Sequence, residues 1–308
     1  MTTLLFAHES SAHHDTGAGH PERPERIRAV MRTLDADDFV SLERREAPAA
    51  DVADLDRVHP AGYVERLLAA IPEEGLARID PDTVVSPESG DAAMRASGAM
   101  VAAVDAVTGG EATNAFCAVR PPGHHAEPGR SMGFCLFNNV AVGALHARAV
   151  HGLDKIAVVD FDVHHGNGTQ AVFETDPGLL FASSHQFPFY PGTGAASETG
   201  VGNIFNVPLA SGSGSTEFRF GFEERIFPAL RAFRPELIRV SAGFDAHARD
   251  PLAALELSED DYTWVTRELC AIAGELCDGR LVSTLEGGYD LEALASSVVA
   301  HVQELMSV

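Results

Sequence analysis

Two aspartates and a histidine stand two residues apart in the segment AVVDFDVHHGNG, residues 157–168. Asp160, Asp162 and His164 follow an apolar run that predicts a buried strand. Residues at i, i+2 and i+4 point to one side of an extended segment. Carboxylates held this close repel each other and shift each other's pKa values strongly. A divalent cation is the simplest way to resolve that repulsion, so the segment predicts a metal site.

A catalytic zinc site takes three protein ligands and keeps one position open for water. Asp162 and His164 would supply two of them. The third should come from the end of another strand, and Asp245 in the segment SAGFDAH has that placement. Such an oxygen-rich set makes the metal more electrophilic than thiolates would. It also accommodates iron or manganese, so the identity of the metal stays open.

Adjacent histidines, His124 and His125, lie in the Pro/Gly turn RPPGHHAE. Their unperturbed pKa is close to neutral, so they can serve as a base and an acid beside an activated water. Histidines in that role need orienting partners, and Asp160 and Asn167 flank the predicted ligands as free polar groups. The pair therefore predicts proton transfer at the metal.

Tyr289 follows two glycines in the segment LEGGYD, at the end of a predicted strand. A phenol that faces the metal could stabilise a developing oxyanion. Taken alone, a tyrosine here indicates packing more than catalysis. The following histidines are assigned no ligand role: His13, His14, His20, His59, His146, His151, His165, His185 and His247.

Composition narrows the class of protein. The chain has 308 residues and a formal charge of −23, from 45 acidic and 22 basic residues, which argues against nucleic acid as a direct partner. No apolar run approaches a membrane span, and the first residues do not predict a signal peptide. The four cysteines have neither zinc-finger spacing nor a C-x-x-C pair, so free thiols and a cytoplasmic location are expected.

Short apolar runs alternate with helical patterns, which predicts an α/β fold with a mostly parallel sheet and helices on both faces. Strands are predicted over 3–8, 115–119, 155–162, 179–184, 203–208, 237–242 and 281–285. Helices are predicted over 24–34, 53–71, 88–107, 138–150, 216–233, 259–276 and 291–306. No linker or repeat interrupts the pattern, so one domain over 1–308 is expected. The candidate motifs all follow strands, and the carboxyl ends of parallel strands share one crevice.

Six blocks of sequence together resemble the histone deacetylase superfamily, most closely its class II histone deacetylase-like amidohydrolases. They are RPPGHHAE, GFCLFNN, VVDFDVHHGNGTQ, FYPGTG, SAGFDAH-x-x-DPL and LEGGYD, in the family's order, and with HPERPERI at 20–27 before them the match spans nearly the whole chain. The resemblance implies the single-domain arginase/deacetylase-like fold around an eight-stranded parallel sheet. It also implies zinc-dependent hydrolysis of an N-acetyl amide.

Carried over by position, the resemblance makes Asp162, His164 and Asp245 the zinc ligands. His124 and His125 become the tandem histidines, with His124 expected as base and His125 as acid. Asp160 and Asn167 support them, the asparagine being the class II choice where class I relatives have an aspartate. Tyr289 matches the tyrosine that polarises the acetyl carbonyl.

Substrate-binding and cation sites are implied in the same way. Phe134 and Tyr190 match the aromatic walls of the acyl-lysine tunnel, which Gly133 and Gly288 would also line. Arg26 matches the arginine of the acetate exit channel, and Leu252 the gatekeeper position. No family-type acid for gripping the substrate is identifiable in DPDTVVSPESG. Structural potassium would bind at Asp160, Asp162, His164, Ser183 and Ser184, and a second ion at the carbonyls of Phe173, Asp176, Leu179 and Asn203.

The sequence therefore predicts a zinc deacetylase that acts on acetyl-lysine in a peptide or protein. An acetylpolyamine, or another small acylated amine, is the alternative substrate with the same chemistry. A pseudoenzyme that binds acyl-lysine without cleaving it is the alternative from another class. The oligomeric state is not predicted.

Overall fold

A fully parallel eight-stranded sheet runs through the centre of this computed structural model, which describes residues 2–308. Met1 of the predicted domain 1–308 lies outside the described residues. The strands in chain order are β1 Thr3–Ala7, β2 Glu43–Glu46, β3 Ala77–Arg78, β4 Val84–Val85, β5 Asn114–Ala118, β6 Ile156–Asp160, β7 Leu179–Gln186, β8 Ile204–Leu209, β9 Leu237–Ala242 and β10 Leu281–Leu285. The main sheet has the order β2-β1-β5-β10-β9-β6-β7-β8, and β3 pairs antiparallel with β4 outside it. The predicted sheet is confirmed.

Helices cover both faces of the sheet. They are α1 Glu25–Leu34, α2 Val52–Leu55, α3 Tyr63–Ala69, α4 Ser89–Thr108, α5 Asn139–His151, α6 Asn167–Phe173, α7 Ser215–Gly221, α8 Phe227–Phe233, α9 Glu259–Leu276 and α10 Leu291–Met306. Successive residues of a strand pack in the cores on opposite faces of the sheet, because side chains alternate across a strand. Leu5 packs in the core that contains α9 and α10, whereas Leu4 and Phe6 pack in the core that contains α4 and α5. Among the described residues, no helix is long and apolar enough to cross a membrane.

The helix predicted over 53–71 is wrong as one element. It is divided into α2 and α3 because Pro60 has no amide hydrogen to donate and Gly62 adopts a left-handed conformation, with φ of 80°. The helix predicted over 216–233 is continuous but contains a π-helical turn at Phe222–Ile226. Pro228 follows that turn and cannot donate to the preceding one.

The eighth strand was not predicted from periodicity. Strand β2 has the sequence Glu-Arg-Arg-Glu and lies at the edge of the sheet, where polar side chains are tolerated. Helix α6 was also missed. Strand β6 ends at Asp160 rather than at the predicted residue 162, so Asp162 and His164 lie in the bend that follows it.

Candidate active site

The candidate residues lie in the loops that follow the carboxyl ends of adjacent strands. The loop after β5 carries His124 and His125, and the loop after β6 carries Asp162 and His164. Asp245 follows β9, and Tyr289 follows β10. In the sheet these strands are neighbours in the order β5-β10-β9-β6, so the loops meet in one place. The convergence expected from the parallel topology is present.

Asp162, His164 and Asp245 form a buried cluster whose ligand atoms lie within 4.8 Å of one another. His164 Nδ1 is 3.1 Å from Asp162 Oδ1 and 3.2 Å from Asp245 Oδ2. The main chain holds the carboxylates in place, because Val163 N donates to Asp245 Oδ1 at 2.8 Å and Gly287 N donates to Asp162 Oδ2 at 2.8 Å. The bend is closed by His164 N, which donates to Asp162 Oδ1 at 2.9 Å. Side-chain to main-chain bonds therefore bring the ligands together, and not the strand periodicity that the sequence suggested.

This cluster fits a divalent metal ion. Asp245 Oδ2 is buried and accepts no hydrogen bond within residues 2–308, which is unusual for a buried carboxylate oxygen. Glycines leave the space around the carboxylates open: a Cβ at Gly243 would lie 2.0 Å from Asp162 Oδ2, and one at Gly287 would lie 2.0 Å from Asp245 Oδ2. Two carboxylates and one imidazole are a suitable donor set for zinc.

Charge in the cluster supports the same reading. Burial and the neighbouring Asp162 carboxylate raise the pKa of Asp245 to about 7. Burial disfavours a charged His164, but the adjacent carboxylates of Asp162 and Asp245 outweigh it and raise the pKa of His164 to about 10. The carboxylates therefore draw positive charge into the site, which is the role that a metal ion fills.

The tandem histidines stand side by side, with ring centroids 4.0 Å apart, but their partners differ. His124 Nδ1 lies 2.9 Å from Asp160 Oδ2, and His125 Nδ1 lies 2.8 Å from Asn167 Oδ1. Burial disfavours a charged His124, yet the carboxylates of Asp160 and Asp162 outweigh it and hold its pKa well above the ordinary value. Burial and the neighbouring His124 hold the pKa of His125 well below the ordinary value.

Glu286 binds the main chain of the loop that carries the tandem histidines, and the sequence analysis did not identify it. Its Oε2 accepts from Gly123 N at 2.6 Å and from His124 N at 3.2 Å, while its Oε1 accepts from Ser241 Oγ at 3.2 Å. Burial raises the pKa of this carboxyl to about 7. A charged residue directly after the buried strand β10 was the available signal, but it did not indicate these contacts.

A narrow cavity of about 120 Å³ leads to the cluster. Its lining consists of Asp82, His125, Gly133, Phe134, His164, Tyr190, Leu252 and Tyr289. The rings of Phe134 and Tyr289 meet edge to face at 6.0 Å, and Tyr190 meets His125 in the same way at 5.2 Å. An extended side chain of small cross-section fits such a space, with its end at His164, His125 and Tyr289.

Asp250 fixes the main chain of Tyr289. Asp250 Oδ2 accepts from Tyr289 N at 2.7 Å, and Asp250 Oδ1 accepts from Leu252 N at 2.9 Å. Burial, reinforced by Asp245 and Asp162, keeps the pKa of the Tyr289 phenol well above its ordinary value, although Arg26 acts in the opposite direction. The hydroxyl is therefore a hydrogen-bond donor at neutral pH.

Comparison with known proteins places this site in a family. A family model described as "Histone deacetylase domain" matches residues 20–305. The chain is 42% identical to the histone deacetylase-like amidohydrolase of Pseudomonas aeruginosa, covering 94% of this chain and 78% of the relative. It is 39% identical to the chloroplastic histone deacetylase 10 of Oryza sativa subsp. japonica, covering 96% of this chain and 71% of the relative. The crystal structure of the HDA15 HD domain superposes with a TM-score of 0.94 at 35% identity, covering 99% of this chain and 88% of that one.

The chain belongs to the histone deacetylase family. It is accordingly a hydrolase that acts on amide bonds, with deacetylation as its general activity. The solved relative has the same arrangement of an eight-stranded parallel sheet covered by helices. The resemblance read from the motifs is confirmed.

Two of the residues expected around the substrate, Arg26 and Gly288, lie outside the cavity lining. Arg26 is fully buried behind Tyr289, its guanidinium carbon 4.9 Å from the centroid of that ring. It donates to Gly288 O at 2.5 Å and to Glu286 O at 2.6 Å. Gly288, with φ of 120°, shapes the turn before Tyr289 instead of lining the slot. Both residues position the tyrosine.

An acid does lie at the cavity, contrary to the expectation for the segment DPDTVVSPESG. Asp82 is part of the lining, and its Oδ1 accepts from Gly133 N at 3.1 Å. Burial and the charge of Asp82 raise the pKa of the Tyr190 phenol. The segment gave no periodic signal, since Asp82 lies in the turn between β3 and β4, so only the fold could place it.

The two predicted potassium sites stay predictions. Asp160 pairs in register with Ser183 on the neighbouring strand, next to Ser184, so the first set of residues is brought together. The second set is brought together around the side chain of Asn203. The carbonyls of Phe173, Asp176 and Leu179 lie 2.8, 3.0 and 2.6 Å from Asn203 Nδ2, and the carbonyl of Asn203 accepts from Phe181 N at 3.1 Å. An amide NH2 group has two hydrogens and each carbonyl oxygen has two lone pairs, so these contacts leave acceptor capacity at the carbonyls.

Proposed function

We propose that this chain is a zinc-dependent deacetylase that hydrolyses the N-acetyl amide of acetyl-lysine in peptides or proteins, releasing the free amine and acetate. The observation that carries the proposal is the meeting of Asp162, His164, Asp245, His125 and Tyr289 at one end of a narrow, aromatic-walled cavity. One catalytic domain, one catalytic zinc ion per chain and a cytoplasmic location complete the proposal.

Asp162, His164 and Asp245 would hold the zinc ion. When bound there, it supplies a Lewis acid for the carbonyl group and lowers the pKa of a water molecule. Tyr289 donates a hydrogen bond to the carbonyl oxygen as negative charge develops on it, which is the kind of interaction that stabilises a transition state. Arg26 and Asp250 keep the tyrosine in place from behind.

His125 is the residue that exchanges protons with the reactants. It lines the cavity, whereas His124 lies behind it and contacts Asp160. Its orienting partner is a neutral amide, so a neutral imidazole is favoured and can accept the proton of the attacking water. The same imidazole then donates that proton to the amine nitrogen as the C–N bond breaks. This assignment reverses the sequence expectation, in which His124 was the base. The carboxylate of Asp160 favours a charged His124, which contributes positive charge to the site.

Acetyl-lysine fits two of the side chains that line the cavity. Leu252 contributes an apolar surface for a lysine stem, and Asp82 offers a carboxylate to main-chain N–H groups of a peptide. A small acylated polyamine is the second candidate, because that same carboxylate and the net charge of −23 would attract a cation.

A substrate panel tests the proposal. Acetyl-lysine peptides and acetylated polyamines are compared by kcat/KM, with and without a chelator and after zinc is added back. Peptide turnover that is lost with the chelator and restored by zinc is expected. Turnover that survives metal removal would refute the zinc mechanism, and a higher kcat/KM for the polyamine would refute the substrate assignment.

A further inference from the structure

A second cluster of metal-binding side chains lies away from the active site, where α5 ends. It consists of Asp105 on α4 together with His146 and His151 on α5. Helix α5 has 13 residues and is therefore about 20 Å long, and its other end begins beside the catalytic loop. The sequence analysis assigned these two histidines no ligand role.

The three side chains converge on one point. His146 Nε2 is 2.8 Å and His151 Nε2 is 2.6 Å from the same oxygen, Asp105 Oδ1. The two imidazole rings are 5.9 Å apart between centroids and meet edge to face. One oxygen and two ring nitrogens at these separations need only small shifts to accept a common ion, because zinc ligands lie about 2.0–2.2 Å from the metal.

His146 has an arrangement that is typical of metal-bound histidine. Its Nδ1 lies 2.8 Å from Asp54 Oδ1, a mostly buried carboxylate that also pairs with Arg57 at 3.3 Å. With Nδ1 directed at Asp54, Nε2 is directed at the Asp105 oxygen, which is the side on which an ion would bind. A carboxylate behind a histidine that faces a metal is the usual second layer of such sites.

The ligand types define the ion. Two imidazoles and one carboxylate suit zinc and its neighbours in the first transition row, whereas magnesium and calcium prefer oxygen alone. The side chain of Asp105 is 49% exposed and that of His151 is 22% exposed, so an ion can enter and keep water in its remaining positions. Bound here, it would join α4 to α5.

We propose that Asp105, His146 and His151 form a second divalent-metal site of the zinc class, with Asp54 orienting His146. The site is independent of the proposed deacetylation. Its occupancy would clamp together the two helices that cover one face of the sheet.

Metal stoichiometry tests the proposal. Metal-free protein is titrated with Zn²⁺ by calorimetry, and bound zinc is measured by mass spectrometry after excess ion is removed. Two ions per chain are expected for the wild type and one for Asp245→Ala, which lacks only the catalytic ion. His151→Ala and Asp105→Asn should each bind one ion while they retain deacetylase activity, with affinity for the second equivalent lowered about 100-fold or more. The exposed His13 is the matched control, and His13→Ala should still bind two.

A further readout separates binding from folding defects. In the Asp245→Ala background, added zinc should raise the thermal unfolding midpoint, and adding His151→Ala should abolish that increase. A single ion in the wild type, or two ions still bound by His151→Ala, would overturn the proposal.

Discussion

The side-chain oxygen of Asn167 lies 2.8 Å from Nδ1 of His125, so a neutral amide orients the histidine that faces the cavity. Its neighbour in the tandem pair has a carboxylate in the same position, 2.9 Å away. Two adjacent imidazoles are thus given opposite tendencies to carry charge, which is how a site separates a proton acceptor from a fixed cation.

Replacing Asn167 by aspartate should shift the pH dependence of catalysis. A carboxylate behind His125 favours the imidazolium and raises the pKa of this ring. Because His125 must be neutral to accept a proton, the acidic limb of kcat/KM should move to higher pH, by about one unit or more. The profile is measured between pH 5.5 and 9.5, with zinc content checked in parallel. An unmoved limb in a zinc-loaded Asn167→Asp variant would return the role of base to His124.

Tyr289→Phe should retain the fold and the metal but lose much of the rate. Removal of one donor to a developing oxyanion typically lowers kcat by about 10²–10³. The matched control is Tyr262→Phe, since Tyr262 is also buried and its hydroxyl has no hydrogen-bond partner among the described residues. If kcat of Tyr289→Phe stays within about threefold of wild type, the tyrosine packs and does not catalyse.

Asp245→Ala should abolish turnover by removing a metal ligand. Two remaining protein ligands seldom retain a catalytic ion, so the zinc attributable to the active site should fall well below one per chain. Bound metal is measured together with peptide deacetylation. Full activity in this variant would show that the ligand assignment is wrong.

Leu252→Glu should narrow or reverse the preference for acetyl-lysine peptides over N8-acetylspermidine. An apolar rim cannot pair with the distal ammonium, whereas a glutamate at a partly exposed rim can contribute about 1 kcal/mol or less. The ratio of the two kcat/KM values is measured at low and high salt, because the net charge of −23 attracts any cation at low ionic strength. A ratio unchanged by the substitution would exclude Leu252 from substrate selection.

Arg239→Met should stabilise the protein. Arg239 is fully buried in the sheet, and none of its guanidinium nitrogens has a hydrogen-bond partner within residues 2–308. Burial lowers the pKa of this guanidinium to about 9, although Cys117 opposes the shift. Removing an unpaired interior charge should raise the free energy of unfolding by about 1 kcal/mol or more. Thermal unfolding measures it, with the exposed Arg231→Met as control; a lower midpoint for Arg239→Met would contradict the expectation.

Much of the fold was predictable. Hydrophobic periodicity indicates the individual elements, and the alternation of strands and helices along the chain indicates a parallel sheet. Strand β9 and helices α9 and α10 have the predicted bounds, since each has a strong apolar pattern between clear ends. The edge strand β2 has no apolar pattern, because polar side chains suffice at an edge.

In the site, the cluster of Asp162, His164 and Asp245 was predictable from residue type and position after strands. Asp82 and Glu286 were not, since both act through contacts with residues distant in sequence, at Gly133 and Gly123. The roles of His124 and His125 depended on whether each faces the cavity or the interior. The direction in which each histidine faces depends on the folded loop and cannot be predicted from two adjacent residues in the sequence.

The amide of Asn203 differs in one practical respect from an ion bound at the same carbonyls. An ion is in exchange with the medium, and its occupancy follows concentration and competition from other salts. An amide is part of the covalent chain and is present at unit stoichiometry in every molecule. The junction of α6, β7 and β8, where the three carbonyls meet, should therefore keep the contribution of this amide whether the surrounding electrolyte is potassium, sodium or neither.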